Sequence, residues 1–331
     1  MASIKEVAKH AGVAISTVSK VLNNYPNVSE ETKGRVNAAI EELGYVPNAV
    51  AAALSSKRSG RIALLIHLNQ DTQAIDEISL QYLSGALNHA RALNLDVVTV
   101  FFSMLEGKSV EEIINYFRSQ NITGIVICGM SKSEKILIKL VERQVFKMVL
   151  VDAPLINENT SCVWINQAKA QYEVAEKTMK MDTIPYKKLL YIAGEKNGYV
   201  TEERMKGIRQ FAQDYKMKLM IHEGNFSEKE ARALTFQYGE KQDMIACASD
   251  LMAIGAMRAL MEMDIFRPVC GFDGITLMGY AGKQMNTVRQ DFFHIAEAAV
   301  EELKRLLDGG RGKEVLLEHS LIRMKYTDII R

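Results

Sequence analysis

Hydrophobic residues follow two alternating patterns over most of the chain, from residue 61 onward. Short continuous apolar runs, typical of strands buried on both faces, are separated by longer segments with apolar side chains every three or four positions. We predict strands at residues 62–68, 97–102, 122–128, 148–152, 189–193, 219–222, 244–249 and 268–272. We predict helices at residues 79–93, 110–119, 134–143, 167–181, 202–215, 228–238 and 251–263. Two successive units of this kind predict two α/β lobes with parallel sheets, and ligands bind at the carboxyl ends of such strands, in the cleft.

The first 45 residues follow a purely helical pattern. Ser3 and Glu6 have the spacing of a capping box, and Gly12 suits a left-handed helix end. Ala8, Gly12 and Val18 have the spacing of a helix-turn-helix, in which a small residue allows close helix approach and an aliphatic residue locks the second helix. A third helix follows Ser29, and its core face is formed by Val36, Ala39, Ile40 and Leu43.

The outward side of the second helix offers short hydrogen-bond donors and a cation. In a major groove, Lys20 could donate to guanine, Ser16 and Thr17 to a base edge or a phosphate, and Ile15 could cover a thymine methyl. The alternative is a small three-helix bundle with no role in nucleic-acid binding. Among residues 1–29, Lys5, Lys9 and Lys20 outnumber the single acid Glu6, but such an excess is common at N-termini.

Composition narrows the class of protein. The chain has 331 residues, 48% hydrophobic and 24% charged, with a net charge of +1, which excludes a disordered, collagen-like or coiled-coil protein. The apolar runs are too short to span a bilayer, and no signal peptide precedes them. Four scattered cysteines indicate a reduced cytoplasm. No phosphate loop, dinucleotide fingerprint, nucleophile elbow or metal motif is present, so we expect neither an enzyme nor a metal or cofactor.

The stretch IKEVAKHAGVAISTVSKVLNN and the following L-G-Y-V-P-N closely resemble the DNA-binding headpiece of the LacI/GalR family of transcription regulators. The resemblance implies DNA contacts in the headpiece and in a hinge helix that orders on operator DNA, with Leu54 inserted into the minor groove. These contacts are assigned to Ser3, Ile15, Ser16, Thr17, Ser19, Lys20, Asn23, Asn48, Ala51 and Leu54. The alternative for the segment after Pro47 is an ordinary helical spacer.

The remainder resembles the same family's effector-binding core, which is similar to periplasmic sugar-binding proteins. The matching elements are V-L-V-D, E-R-M-K-G-I, A-S-D-L-M-A-I-G, G-F-D and T-V-R-Q-D-F. The fold expected is therefore an all-α helix-turn-helix headpiece plus an α/β periplasmic-binding-protein-like core of two parallel-sheet lobes. We expect the headpiece at 1–46, the hinge and linker at 47–60, and the core at 61–331, with one lobe at about 61–160 and 292–318 and the other at about 161–291 and 319–331.

The resemblance also assigns an effector site between the lobes. Its candidate residues are Asn69, Cys128, Asp152, Arg204, Phe226, Ser249, Asp250, Asp273 and Gln290. A guanidinium flanked by carboxylates suits a polyhydroxy ligand. Alternatively, Asp250 caps a helix and Asp273 is a turn residue. Relatives usually carry asparagine where Ser249 stands and aspartate where Gly274 stands, so the usual hexose contacts are altered.

These features together predict a repressor of a carbohydrate-utilisation operon. We expect a homodimer that binds a palindromic, double-stranded operator, because no tetramerising heptad helix follows the last expected strand. A small effector, expected to be a sugar or sugar derivative, would change hinge pairing and DNA affinity; no membrane partner is expected. Two alternatives stay open: a global regulator gated by a phosphoprotein corepressor, and a metabolite-binding protein with a non-functional headpiece.

Overall fold

A computed structural model describes residues 2–22, 25, 28–45, 60–67, 77–181 and 185–328. The chain divides into two compact units, Met1–Arg58 and Ser59–Arg331. Five predicted site residues lie outside the described residues, namely Asn23, Asn48, Ala51, Leu54 and Asn69. The predicted hinge helix also lies outside them. No helix in the part of the chain described is long and apolar enough to cross a membrane.

The first unit contains three helices: α1 (Ile4–Ala11), α2 (Ile15–Leu22) and α3 (Glu30–Glu42). The predicted capping box forms at α1, and Gly12 ends that helix in the left-handed conformation, with φ of 64°. Ser29 caps α3 through its side chain, which accepts from the Thr32 amide. The helices share one apolar core centred on Val7, Val18 and Val36, so the predicted helix-turn-helix packing is confirmed.

The second unit contains two six-stranded sheets and eight α-helices among the described residues. The strands are β1 (Arg61–Ile66), β2 (Asp96–Phe101), β3 (Ile122–Cys128), β4 (Lys147–Val151), β5 (Thr160–Ile165), β6 (Lys188–Ala193), β7 (Lys218–Glu223), β8 (Met244–Cys247), β9 (Val269–Cys270), β10 (Asn286–Arg289), β11 (Glu314–Leu317) and β12 (Ser320–Arg323). The helices are α4 (Glu77–Ala92), α5 (Val110–Ser119), α6 (Lys135–Glu142), α7 (Gln167–Met179), α8 (Tyr199–Asp214), α9 (Glu228–Tyr238), α10 (Asp250–Glu262) and α11 (Phe292–Leu307).

Each sheet forms the centre of one lobe. The first has the strand order β11-β5-β4-β3-β1-β2 and is parallel throughout. The second has the order β12-β10-β9-β8-β6-β7 and is parallel except at its edge, where β12 runs antiparallel to β10. Buried aliphatic residues fill the strands, as expected for sheets covered on both faces. The predicted architecture of two parallel-sheet lobes is therefore correct, but the strands β5, β10, β11 and β12 and the helix α11 were not predicted, and β12 adds an antiparallel edge.

The chain crosses between the lobes three times, after β5, after β10 and after β11. The lobe boundary predicted near residue 160 moves to the end of β5, because Thr160–Ile165 pairs in parallel with β4 and β11. No strand was predicted there, since its first residues are polar. Ser161 is nevertheless fully buried, and its hydroxyl donates to Glu302 Oε1 over 2.6 Å. That hydrogen bond makes the buried polar position tolerable.

Candidate functional site

The outward surface of α2 is the candidate nucleic-acid interface. Ile15, Ser16 and Lys20 are exposed, while Thr17 and Ser19 are half-buried. Ile15 keeps 44% of its surface exposed although it is strongly apolar, which suits an apolar contact with a partner. Lys20 forms no ion pair with any residue that the structure describes. The surface therefore combines an apolar side chain, hydroxyls and a cation, as predicted.

Ser3 lies at the start of α1 and has a clear structural role. Its hydroxyl donates to Glu6 Oε2 over 3.0 Å, and its amide donates to the same oxygen over 2.7 Å. The backbone hydrogen bond from Ser3 lowers the pKa of Glu6, so this carboxylate stays ionised near the positive end of the helix. Contact between Ser3 and DNA stays a prediction.

The candidate effector site is a cleft of about 350 Å³ between the two lobes. Its walls include the carboxyl ends of β1, β3 and β4 from one lobe and residues of α8 and the segment after β9 from the other. This is where the topology of parallel sheets places ligands. Seven of the predicted residues line it: Cys128, Asp152, Arg204, Phe226, Ser249, Asp273 and Gln290.

Arg204 is the most strongly held side chain in the cleft. It is 4% exposed, and its guanidinium lies over the Phe272 ring at 3.7 Å from the ring centroid. Nε donates to Gln167 Oε1 over 2.8 Å, and Nη1 donates to the carbonyl of Ala248. Nη1 also lies 3.6 Å from Asp273 Oδ1. These partners fix the plane of the guanidinium before any ligand arrives.

Gln167 links the polar groups of the cleft, and sequence reasoning missed it. Its amide nitrogen donates to Asp152 Oδ1 over 3.0 Å and to Gln290 Oε1 over 3.3 Å. Gln290 in turn donates to Asp273 Oδ1 over 3.0 Å. Gln167 is the first residue of α7, directly after the first crossing. The sequence feature that could have identified Gln167 is a polar residue placed where the chain crosses between the lobes.

Phe226 contributes an aromatic surface to the cleft. It has a left-handed backbone, with φ of 58°, which places its ring over Gly194. A Cβ at position 194 would lie 2.1 Å from the ring, so glycine lets the ring pack directly against the backbone there. Ser249 also lines the cleft, but its hydroxyl accepts from the Met252 amide and caps α10. The predicted positions of both residues in the cleft agree with the structure.

Asp250 requires a correction, because it does not line the cleft. Its Oδ2 accepts from the amides of Gly274 and Ile275 over 2.7 and 2.9 Å. Its Oδ1 accepts from the Thr287 hydroxyl over 2.6 Å. The alternative role as helix cap is also wrong, since Ser249 is the cap. Asp250 instead holds the turn that carries Asp273 and thereby positions the Asp273 carboxylate at the cleft.

Burial governs the ionisation of the acidic groups. It raises the pKa of Asp273 to about 6, although the Arg204 guanidinium opposes this shift. Burial also raises the pKa of Asp152, against the hydrogen bond from Gln167. Burial, followed by the charge of Asp273, raises the pKa of Asp250 well above its ordinary range. At Asp152 and Asp273, burial therefore outweighs the opposing effect of the Arg204 guanidinium.

Tyr82 is a second residue that sequence reasoning missed. It lies on α4, lines the cleft and is only 7% exposed, with its ring edge-on to Phe292. Its hydroxyl forms no hydrogen bond with the described residues, and its oxygen is not fully buried. Burial and then the charge of Asp152 raise its pKa well above its ordinary value, so the hydroxyl is a neutral donor. The described residues offer no group of three side chains that could hold a metal ion.

The two units and their surfaces define a class of protein: a helix-turn-helix unit joined to a two-lobe fold with a central ligand cleft. Residues 3–48 match the family described as bacterial regulatory proteins, lacI family, and residues 72–311 match the periplasmic binding protein domain. The chain belongs to the LacI family, and it is a DNA-binding transcriptional regulator.

Known proteins match over nearly the whole chain. The HTH-type transcriptional repressor PurR of Aliivibrio fischeri (strain MJ11) is 26% identical, with 95% of each chain covered. The ribose operon repressor of Halalkalibacterium halodurans is 28% identical, with 93% of this chain and 91% of the relative covered. A lac repressor dimer solved with operator and the anti-inducer ONPF superposes with a TM-score of 0.82 at 23% identity, covering 98% of both chains. This last likeness shows the fold.

Proposed function

We propose that this chain is a ligand-responsive repressor that acts as a homodimer on a palindromic operator. A small effector in the cleft between the lobes would change hinge-helix pairing and thereby DNA affinity. The observation that carries the proposal is the network of Arg204, Gln167, Gln290, Asp152 and Asp273, which is preassembled at two of the three crossings between lobes. A ligand that contacts this network acts directly on the connections between the lobes.

The DNA side of the proposal rests on the exposed face of α2. Ser16 and Lys20 would read base edges, and Ile15 would contact a thymine methyl. Ser3, Thr17, Ser19, Asn23, Asn48 and Ala51 would add further contacts, and Leu54 would enter the central minor groove. The names of the PurR relative and the ribose operon repressor both describe repressors, which supports the same role here.

The carbohydrate role is supported by Arg204, Asp152, Asp273 and Gln290, which line the cleft and offer hydrogen-bond donors and acceptors for hydroxyl groups, and by the name of the ribose operon repressor. Effector and operator binding would be coupled reciprocally, and a coupling of about 1.4 kcal/mol corresponds to a tenfold change in operator affinity.

Selection from random duplex DNA, followed by fluorescence anisotropy of the full chain on the selected sequence, tests the proposal. We expect a palindromic site, bound by two chains, with at least tenfold preference over scrambled DNA. A compound that binds the cleft should change this affinity, and Arg204→Ala should remove the response without removing DNA binding. A full-length chain that binds selected and scrambled DNA equally would identify a metabolite-binding protein instead.

A further inference from the structure

A second set of contacts joins the two lobes at a distance from the chain crossings. The turn that follows β3, residues 131–134, meets the segment before α8, residues 195–198. The amide of Lys132 donates to the carbonyl of Asn197 over 2.9 Å. The side-chain amide of Asn197 donates to the Ser133 hydroxyl over 3.2 Å. Two hydrogen bonds therefore connect the lobes directly at this point.

The Lys132 side chain extends the same contact. Its ammonium donates to Glu202 Oε1, in the first turn of α8, and lies 5.5 Å from the centre of the Tyr199 ring. The side chains of Lys132 and Glu202 are 39% and 50% exposed, so salt weakens their attraction. This ion pair is therefore one that can form and break readily while the protein stays folded.

The turn that carries Lys132 is shaped by its own side chains. The Ser131 amide donates to Glu134 Oε2 over 2.7 Å, and the Ser131 hydroxyl donates to the same oxygen. The Ser133 amide donates to the Ser131 hydroxyl over 3.1 Å. Of the four amides in this turn, that of Lys132 alone donates to the other lobe among the described residues. The turn therefore presents this amide in a fixed direction, toward Asn197.

The position of this contact makes it sensitive to opening of the cleft. The chain crosses between the lobes beside β5, β10 and β11, at one end of each sheet. The turn after β3 lies two strands from β5, and the start of α8, after β6, lies three strands from β10. When two lobes rotate about their connections, the groups far from those connections move most. Opening of the cleft must therefore break the contacts of Lys132.

The segments that meet here also supply part of the cleft wall. Four of their residues line the cleft: Ser131, Glu134, Gly198 and Tyr199. Separation of the segments would therefore open the wall at this point. Arg204 follows Glu202 on α8, so a compound that contacts Arg204 would act on the same helix that holds Lys132.

We propose that Lys132, Asn197 and Glu202 form a latch that holds the cleft closed in the effector-free protein. Protein groups supply both sides of every contact, so the latch needs no ligand to form. Entry and release of an effector then require the latch to open. This last step rests on the proposed function, because it assumes that the cleft receives the effector, whereas closure of the free protein does not.

Hydrogen exchange of the full-length, effector-free chain tests the latch, with single-amide resolution by fragmentation. The acceptor of the Lys132 amide belongs to the other lobe, so protection of this amide reports closure. We expect the amide to be protected. Glu202→Gln, which removes the charge but keeps the shape, should speed its exchange roughly two- to fivefold. Sodium chloride at about 0.5 M should do the same to the natural protein and change the variant little.

Glu203→Gln is the matched control for the exchange experiment. Glu203 is the next residue on α8, but it pairs with Lys206 on the same helix and makes no contact between lobes. It should leave exchange of the Lys132 amide unchanged. Exchange of this amide in the natural protein at the rate of an unstructured peptide would overturn the latch. Equal effects of Glu202→Gln and Glu203→Gln would overturn the role of Glu202 in it.

A disulfide across the contact gives a second test. Ser133→Cys combined with Asn197→Cys places two thiols where a hydrogen bond now joins the lobes, and the four native cysteines are buried. Oxidation should form the disulfide in the double variant. If the free protein is already closed, small-angle X-ray scattering curves of the oxidised variant and the natural protein should superpose. A larger radius of gyration for the natural protein, or a pair that stays reduced, would mean that the lobes rest apart.

The latch and the proposed function fail in different ways. If the Lys132 amide is protected and the scattering curves superpose, but the chain binds selected and scrambled DNA equally, the latch stands and the role as regulator is wrong. If the chain prefers the selected operator but the Lys132 amide exchanges freely, the proposed function stands and the latch is wrong. Anisotropy and hydrogen exchange on the same preparation separate these results.

Discussion

The side-chain amide of Gln167 donates to Gln290 over 3.3 Å, and each residue lies at a crossing between the two lobes. The same Gln167 amide holds Arg204 and Asp152. Two of the three connections between lobes are therefore joined through Gln167, which also holds two residues of the cleft wall, Arg204 and Asp152. Under the proposed function, a ligand that contacts Arg204 or Asp152 would act on this junction directly, without a long chain of intermediate residues between the cleft and the connections.

Gln167→Leu should destabilise the core by about 3 kcal/mol, because it leaves donors and acceptors unsatisfied on three partners, the buried Arg204 and Gln290 and the half-buried Asp152. The lone Trp164, in β5, gives a fluorescence signal for urea unfolding. Gln171→Leu is a matched control on the same helix. Gln171 is also buried, but it accepts only a 3.3 Å hydrogen bond from Tyr191, and its amide nitrogen has no partner among the described residues.

We expect Gln171→Leu to cost about 1 kcal/mol or less, since one weak hydrogen bond is lost and one unsatisfied group is removed. Equal destabilisation by the two variants would show that Gln167 contributes packing alone and that the network has no special role.

Sequence patterns predicted most of the fold, because buried parallel strands and amphipathic helices leave strong periodic signals. Four strands were not predicted, namely β5, β10, β11 and β12, and β5 shows most clearly where this approach reaches its limit. Its polar residues Thr160 and Ser161 are buried at 0% exposure, and only a tertiary partner, Glu302, explains why Ser161 is tolerated there. Sequence spacing carries no information about a partner that lies 141 residues away.

The cleft residues were also predicted only in part, because sequence spacing does not show which way a side chain points. Arg204, Asp273 and Gln290 were predicted because they stand in recognisable motifs. Asp250 stands in such a motif too, yet its carboxylate points to the amides of Gly274 and Ile275. Tyr82 was missed because an aromatic residue at helical spacing is indistinguishable from an ordinary core residue. The direction of a side chain becomes visible only when the elements around it are assembled.

Stability should depend on pH through Asp273. Burial raises the folded-state pKa of this carboxyl to about 6, above the ordinary value of 3.8. A raised folded-state pKa contributes stability that is fully present below pH 3.8 and is lost as the pH rises through 6. The full loss is about 3 kcal/mol. Asp152, Asp250, Tyr82 and Arg204 are the titratable groups that surround it.

Asp273→Asn should remove this dependence. Urea unfolding of both proteins between pH 4.5 and 7.5 should show the variant gaining stability relative to the natural sequence, by about 2 kcal/mol across this range. A constant difference across this range would mean that Arg204 compensates Asp273 fully and that its pKa is not raised.

Glu77 connects the lobes across the mouth of the cleft. Its carboxylate accepts from the Thr276 amide over 2.8 Å and from the Thr276 hydroxyl over 2.9 Å. Glu77→Ala should therefore favour the open cleft by about 1 kcal/mol, a modest value because Thr276 is exposed. Hydrogen exchange of a peptide covering residues 274–281 should become faster, about fivefold.

Gln81→Ala is the control for this effect. Gln81 also donates to Glu77, over 3.0 Å, but it lies on the same helix and makes no bridge between lobes. It should leave exchange in residues 274–281 unchanged. If Glu77→Ala also leaves that exchange unchanged, the two hydrogen bonds do not hold the cleft closed in solution.

Substitution of Lys20 tests whether the headpiece recognises base edges or phosphates through this residue. It is exposed near the C-terminal end of α2, where its ammonium could donate to guanine O6 and N7. Lys20→Ala should then weaken binding to the selected operator by 1–3 kcal/mol, roughly five- to 150-fold, and relax the preference at one base pair of each half-site.

A phosphate contact by Lys20 would behave differently. It would lower affinity for all sequences alike and reduce the dependence of log affinity on log salt concentration by about one. Lys9→Ala, which removes an exposed charge from α1, is the matched control and should change affinity without changing base preference. Anisotropy titrations on the operator, on single-base variants and on scrambled DNA at several salt concentrations distinguish the two roles, and a uniform loss for Lys20→Ala would assign this lysine to the phosphate backbone.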